Sequence, residues 1–421
     1  MVTTPFSTLA KTVAASEGLA DMCLVEVPHP MGMIPRADIE KKAVDMFSEI
    51  MRVMKDWQPE DRAITPKSVY PAERFQFKGT VEGLNRHFFE KGWSLGIPVI
   101  PPTPDEIMTM LKGTSRKPGD VIGRVPPSMA TLTVELTAVY AVMAGCKPEY
   151  MPVLITALEA LLEPRVNWRG ALTTTAATQT VIIVNGPIMK EINLAYDQGA
   201  AGKGQQANGS IGYAINLIAY ILGGSRPPLI DKSTLGSPSD YVCWVFGENE
   251  DKIPVGWDPL HVERGFKKSD SVVTVMACYP PVNNHDHHSV TTDEHLRYWS
   301  KVISPNMGAG GPNYPGVLLQ SPIVALGHEH ADLMASAGWT KDMFRKALWE
   351  RARIPFSTWA GDHPKIKEFV ALFGPVTPES MIPITHKPEQ IMVMIAGGEG
   401  KHSHFFPTFP SCNVASKLIK K

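Results

Sequence analysis

Five stretches of the chain share one plan: a short apolar run, a polar loop, then the start of a helix. They lie at 98–103, 180–187, 271–292, 323–332 and 391–404. A short apolar run closed by turn residues is the mark of a strand buried on both faces. When such strands alternate with helices, the expectation is a layered α/β fold with mainly parallel sheets. Ligands in such folds sit beyond the carboxyl ends of the strands, so the five loops are where chemistry is expected.

The same pattern divides the 421 residues. Residues 1–56 read as an N-terminal strand–helix arm, with a strand at 22–28. The helix DIEKKAVDMFSEIMRVMKDW keeps Ala43, Val44, Phe47, Ile50, Met51 and Met54 in the 3.6-residue period, which predicts one buried face. Residues 57–76 are rich in proline and charge and read as a linker. A first α/β lobe is expected over 77–240, with a glycine-rich loop, and a second over 241–421, with histidine-rich loops. Net charge is −1, so nothing points to nucleic acid or an anionic membrane. No apolar run reaches the roughly 18 residues of a membrane span, and the first twenty residues lack the form of a signal peptide. Five scattered cysteines without C-x-x-C predict free thiols and a cytoplasmic protein. An arm of this kind can exchange between subunits, so a homo-oligomer is expected.

Chemistry concentrates in CYPPVNNHDHHSVTTDEHLRYW, residues 278–299. His285, Asp286, His287, His288, Asp293 and His295 crowd together there, and Thr291 with Glu294 forms a capping box for a helix running to about Val302. Imidazole and carboxylate bind transition metals. Adjacent histidines cannot all face one ion, so ligands must also come from other loops. His285, His287, His330 and His404 are the expected ligands of a divalent transition metal. Asp286 and His287, with His261 and Glu263 of PLHVERG, are the expected acid–base groups. There is no H-E-x-x-H, and a solvated loop that only caps its helix is the plain alternative.

The glycine loop GAAGKGQQANGSIG places Gly202, Gly204 and Ala207 at G-x-G-x-x-A spacing. EINLAYDQ precedes it instead of a strand, and Lys203 is followed by glycine, so no nucleotide cofactor is expected. Its amides, with Lys203 and Asn208, are expected to hold a carboxylate or phosphate, with Asn185 and Arg226 orienting the same small molecule. Cys146 lies between two helices beside Lys147, where a helix start and a cation would favour a reactive thiolate. A small buried residue at a turn is the plain alternative.

The segments GWSLGIPVIPPTPDEIMTML, AVMAGCKPEYMPVL, ANGSIGYAINLI and ENEDKIPVGWDPLHVERGF resemble a bacterial family associated with small UGSC-type (seleno)proteins. VPHPMGMIPRADIEKKAVDMF is similar to the tail of a UGSC-type domain, and the resemblance spans most of 22–410. UGSC-type proteins use a selenol or thiol in a C-G-S-C-like motif, and no C-G-S-C occurs here. The resemblance therefore implies either a UGSC-type partner that carries the redox centre or a branch without one. It implies no catalytic residue.

Two functions follow as expectations. One is an enzyme on a small, polar, carboxylated molecule, acting at an interlobe cleft by metal-assisted or histidine acid–base hydrolysis or by C–N or C–S cleavage. The other is a non-catalytic or thiol-redox subunit that works with a UGSC-type partner.

Overall fold

The computed structural model describes residues 1–32, 34–58, 70–306, 319–358 and 366–420. Its frame is eight strands in two sheets. β1 (Gln179–Asn185), β2 (Trp244–Gly247), β3 (Val272–Cys278) and β4 (Val282–Asn284) come first. β5 (Ile323–Leu326), β6 (Met392–Ile395), β7 (Ser403–Phe406) and β8 (Ala415–Leu418) follow. One sheet has the order β8-β3-β1-β2 and the other β6-β5-β7-β4. In each, a central strand (β1 or β5) has a parallel neighbour on one side (β2 or β6) and an antiparallel one on the other (β3 or β7). The fourth strand of each set crosses over: β4 pairs antiparallel with β7, and β8 antiparallel with β3. Residues 179–284 and 323–418 thus repeat one plan and exchange their edge strands.

Three helices, α2 (Val134–Met143), α3 (Met151–Leu161) and α4 (Gln206–Leu217), cover the outer face of the first sheet. α5 (Thr292–Ile303), α6 (His328–Ser336) and α7 (Lys341–Arg351) cover the outer face of the second. The strand period of two decides what each side chain meets. Ile182 and Val184 pack among α2–α4, whereas Val181 and Ile183 face the other sheet. Val324 and Leu326 join Trp299, Met334 and Phe344, whereas Ile323 and Ala325 face back toward β1 and β2. The result is four layers, helix–sheet–sheet–helix, with an apolar seam between the sheets.

This confirms the α/β class and corrects two details. The sheets are mixed, not mainly parallel: β1 and β3 are antiparallel over seven residue pairs from Gln179↔Cys278 to Asn185↔Val272. A strand with both faces covered is apolar throughout whatever direction its neighbour runs, so the continuous run marks burial and leaves direction open. Nor does a cut at 240/241 separate the sheets, because β2, β3 and β8 hydrogen-bond into the sheet of β1.

Other expectations fare unevenly. Thr103 caps the helix from Pro104, accepting from the Glu106 amide. Residues 98–100 form no strand. In the arm, Glu26–Val27 pairs in parallel with Val2–Thr3. The long helix α1 (Arg36–Asp56) has no buried residue. Val44 is 74% exposed and Phe47 62%, so the expected buried face lies open. Periodicity shows that a face is apolar, not that the same chain covers it. Most of the expected linker falls on 59–69, outside the described residues. Among the described residues no helix is long and apolar enough to cross a membrane.

Candidate functional site

A cavity of about 440 Å³ opens between β2 of one sheet and β5 and β7 of the other. Its wall is aromatic: Phe406 stacks on Phe246 at 5.9 Å and meets Trp244 edge-on at 5.8 Å. The His404 ring lies 6.5 Å from Trp244 and 6.3 Å from Phe406. Two glycine-rich loops line the same space, Gly199–Gly202 after β1 and Gly397–Gly400 after β6. They approach so closely that a Cβ on Gly398 would lie 2.8 Å from Gln198 backbone. Burial, and then the charge of His402, pushes the His404 imidazole below its ordinary value. The ring is therefore neutral near pH 7 and able to accept a proton.

Alternation along β7 sends Ser403 the other way, toward α6. Its hydroxyl donates to His330 Nδ1 at 2.7 Å and accepts from the Gly327 amide at 2.8 Å. His330 Nε2 donates to the Asp286 carbonyl at 2.9 Å. The Asp286 carboxylate accepts from His295 Nδ1 at 2.7 Å, and His295 Nε2 accepts from the Trp299 indole at 3.0 Å. Burial would raise the Asp286 carboxyl, but Ser289 and His295 together hold it down, at about 2. Burial lowers both histidines, His330 to about 4. An ionised aspartate between neutral imidazoles, with every ring nitrogen engaged, is a lock that pins the histidine loop onto α5 and α6.

Asp286, His295 and His330 bring their ligand atoms within 4.8 Å of one another, and so do His328, Glu329 and Glu399. Both groups could hold a metal ion. In the second, His328 Nε2 lies 3.2 Å from Glu399, Glu329 accepts from the Gly400 amide at 2.7 Å, and His328 Nδ1 is buried without a partner. Nearer the surface, His287 Nε2 faces His402 Nε2 at 3.2 Å, and His285 stacks 6.4 Å from His402. The expected ligand set His285, His287, His330 and His404 is therefore split. His287 meets His402, His330 is tied to Ser403, and His404 faces the cavity.

The remaining candidates lie elsewhere. Asn185 is fully buried, and its amide donates to Glu248 at 2.7 Å and Glu250 at 3.0 Å. Glu248 also accepts from the amides of Leu260 and Ile395, which joins the carboxyl ends of the two sheets. Burial raises its carboxyl despite nearby Lys341. His261 is fully buried, 3.8 Å from Glu250. Glu263 pairs with Arg345 at 3.1 Å and Lys341 at 3.6 Å. Asn208 sits inside α4 and clamps the backbone of Ala195, Ala200 and Val245. Every polar bond it can offer is used, so it serves the fold that shapes the glycine loop. Lys203 is exposed and lies one residue beyond the cavity lining. Arg226 stacks on Tyr220 at 5.2 Å, apart from the cavity. The thiolate expectation for Cys146 is corrected: burial pushes its thiol up to about 12, against a Ser210 hydrogen bond.

The residues expected at the site include neither His402 nor Glu399. The H-x-H of His402 and His404 is itself the available signal, since a strand period of two lets neighbours one residue apart serve one side of the sheet edge while Ser403 serves the other.

Comparison with known proteins bears on one segment. The UGSC family model matches residues 1–56. No curated protein matches the chain, and no solved structure does. The tie to a UGSC-associated family stands on the arm, and it establishes no activity.

Proposed function

We propose that the chain is an enzyme that binds a small, polar, carboxylated molecule in the inter-sheet cavity and works on it by histidine acid–base chemistry. One observation carries the reading: the fold brings His404 and the 199–202 glycine loop, some two hundred residues apart in sequence, to one space of about 440 Å³. Aromatic walls with a few polar groups are the usual make-up of a small-molecule site. In this reading the backbone amides of the two glycine loops hold the anionic end, and Trp244 and Phe406 hold the apolar body. Neutral His404 takes a proton from water or from a carbon beside the carboxylate, and returns it to the leaving nitrogen or sulfur. Hydrolysis and C–N or C–S cleavage both fit that proton traffic. A divalent metal at the neighbouring histidine and carboxylate groups would supply a Lewis acid. Free thiols at all five cysteines agree with a cytoplasmic setting.

The test is turnover of a defined panel of N-acyl amino acids, amino-acid amides and cysteine thioethers by the wild-type protein and by His404→Ala. Loss of a general acid–base group costs about 10²- to 10⁴-fold. A turnover that falls by that factor supports the reading. A turnover that His404→Ala leaves unchanged removes it.

The arm favours a second reading. Residues 1–56 are the part that matches the UGSC family, and α1 within them leaves Val44, Phe47 and Met54 open. A subunit that docks a UGSC-type thiol or selenol partner, or a second copy of itself, through this helix would use that face. Copurification of a partner that Phe47→Glu abolishes would support it.

A further inference from the structure

The edge of the second sheet carries an arrangement that the acid–base reading does not use. β4 is the exchanged edge strand, and the chain leaves it directly into His285–His288. His402 stands just before β7, beside it. Asn283 of β4 accepts from His402 Nδ1 at 3.1 Å. That bond fixes the Nδ1–H tautomer and leaves the lone pair of His402 on Nε2. His287 presents its own Nε2 to that lone pair at 3.2 Å. The two rings are close to perpendicular, 77° apart, with centroids 5.0 Å apart.

Two imidazole nitrogens on one tetrahedral ion, with bonds of about 2.0–2.1 Å, stand roughly 3.3 Å apart. The observed separation is that of two ligands sharing an ion as much as of two rings sharing a hydrogen. The buried groups differ on this point. In Asp286, His295 and His330 every ring nitrogen already has a protein partner. An ion there would first have to break the lock, whereas at His287 and His402 it replaces a single hydrogen bond between two imidazoles.

We propose that His287 and His402, oriented by Asn283, form a two-histidine site for a divalent transition metal at the rim of the inter-sheet cavity. His402 lines that cavity, and His287 lines a second one, of about 480 Å³, together with Arg297 and Lys301. The ion would stand on the ridge between them, with its remaining positions open to water or to a carboxylate held by those cations. On binding, the hydrogen that His287 Nε2 shares with His402 passes to His287 Nδ1, so both rings ligate through their Nε2 lone pairs as neutral imidazoles and no net proton is released. The proposal extends the proposed function and rests on it only for the ion's use, not for its binding.

The experiment uses chelator-treated full-length protein titrated with Co²⁺, with visible absorption and elemental analysis as readouts and no substrate present. One Co²⁺ per chain is expected, with affinity at least tenfold weaker in both His402→Ala and His287→Ala. His404→Ala and Glu399→Gln should bind as the wild type does. Both rim histidines are exposed, so the two variants should unfold at the wild-type temperature. Asn283→Ala should weaken binding without abolishing it. Absence of a bound ion in the wild type overturns the proposal. So does binding that both rim variants leave intact, and loss of binding in Glu399→Gln alone would place the ion at His328 instead. Failure of the turnover panel leaves this result untouched, so the two readings fail separately.

Discussion

At the scale of single residues, the histidines divide by what their nitrogens touch. His295 and His330 are buried and fully hydrogen-bonded, His404 faces a cavity, and His287 and His402 face each other. The first pair sets the response to acid. Burial disfavours the charge of His330 and pushes its imidazole down from the ordinary 6.5 to about 4. As pH falls between those values the unfolded chain binds a proton that the folded chain refuses. Stability is therefore complete above about pH 6.5 and falls across that window, by about 2 kcal/mol between pH 7 and pH 5 for this one group. His295 is lowered by burial too and adds in the same direction. Asp286, held down to about 2 from 3.8, gives stability that is lost only as pH falls below about 4. Urea unfolding at pH 7 and pH 5 should show the loss, and His330→Gln should shrink it. An unchanged slope would contradict the assignment. Sequence revealed these residue types and their crowding. It could not reveal which nitrogens were satisfied, because Ser403 and Trp299 become partners only once β7 and α5 are packed.

At the scale of elements, what was legible was local. Thr291 and Glu294 form the capping box that their spacing predicts, with the Thr291 side chain accepting from the Glu294 amide and Glu294 accepting in return. The glycine loop was legible as a loop, but Asn208, expected to hold an anion there, lies inside α4, which begins at Gln206 and carries it inward. Strand direction was not legible at all, because β1 and β3 are apolar on both faces. α1 was legible as an amphipathic helix and illegible in its burial. Its open face makes a plain prediction: Val44→Ser, Phe47→Ser and Met54→Ser should each change the urea-derived stability of the single chain by less than about 0.5 kcal/mol. A loss of about 2 kcal/mol or more would mean that another chain covers the helix in solution. The same variants would then shift its sedimentation to a smaller species.

At the scale of the whole molecule, the exchange of β4 and β8 welds two similar halves into one body. Neither sheet is complete without a strand from the other half, and Glu248 ties the ends of β1 and β6 together through Asn185 and the Ile395 amide. The loops that sequence placed in separate lobes therefore meet at one cavity. Its contents, a neutral histidine, aromatic walls and two glycine loops, are the basis of the proposed function. The most direct measurement is an amide spectrum of [¹⁵N]glycine-labelled protein titrated with succinate. Saturable shifts confined to Gly199, Gly202, Gly397, Gly398 and Gly400, and lost in Trp244→Ala, are the predicted result. Shifts scattered over the other glycines, or none at millimolar succinate, would contradict the claim that this cavity receives a carboxylate.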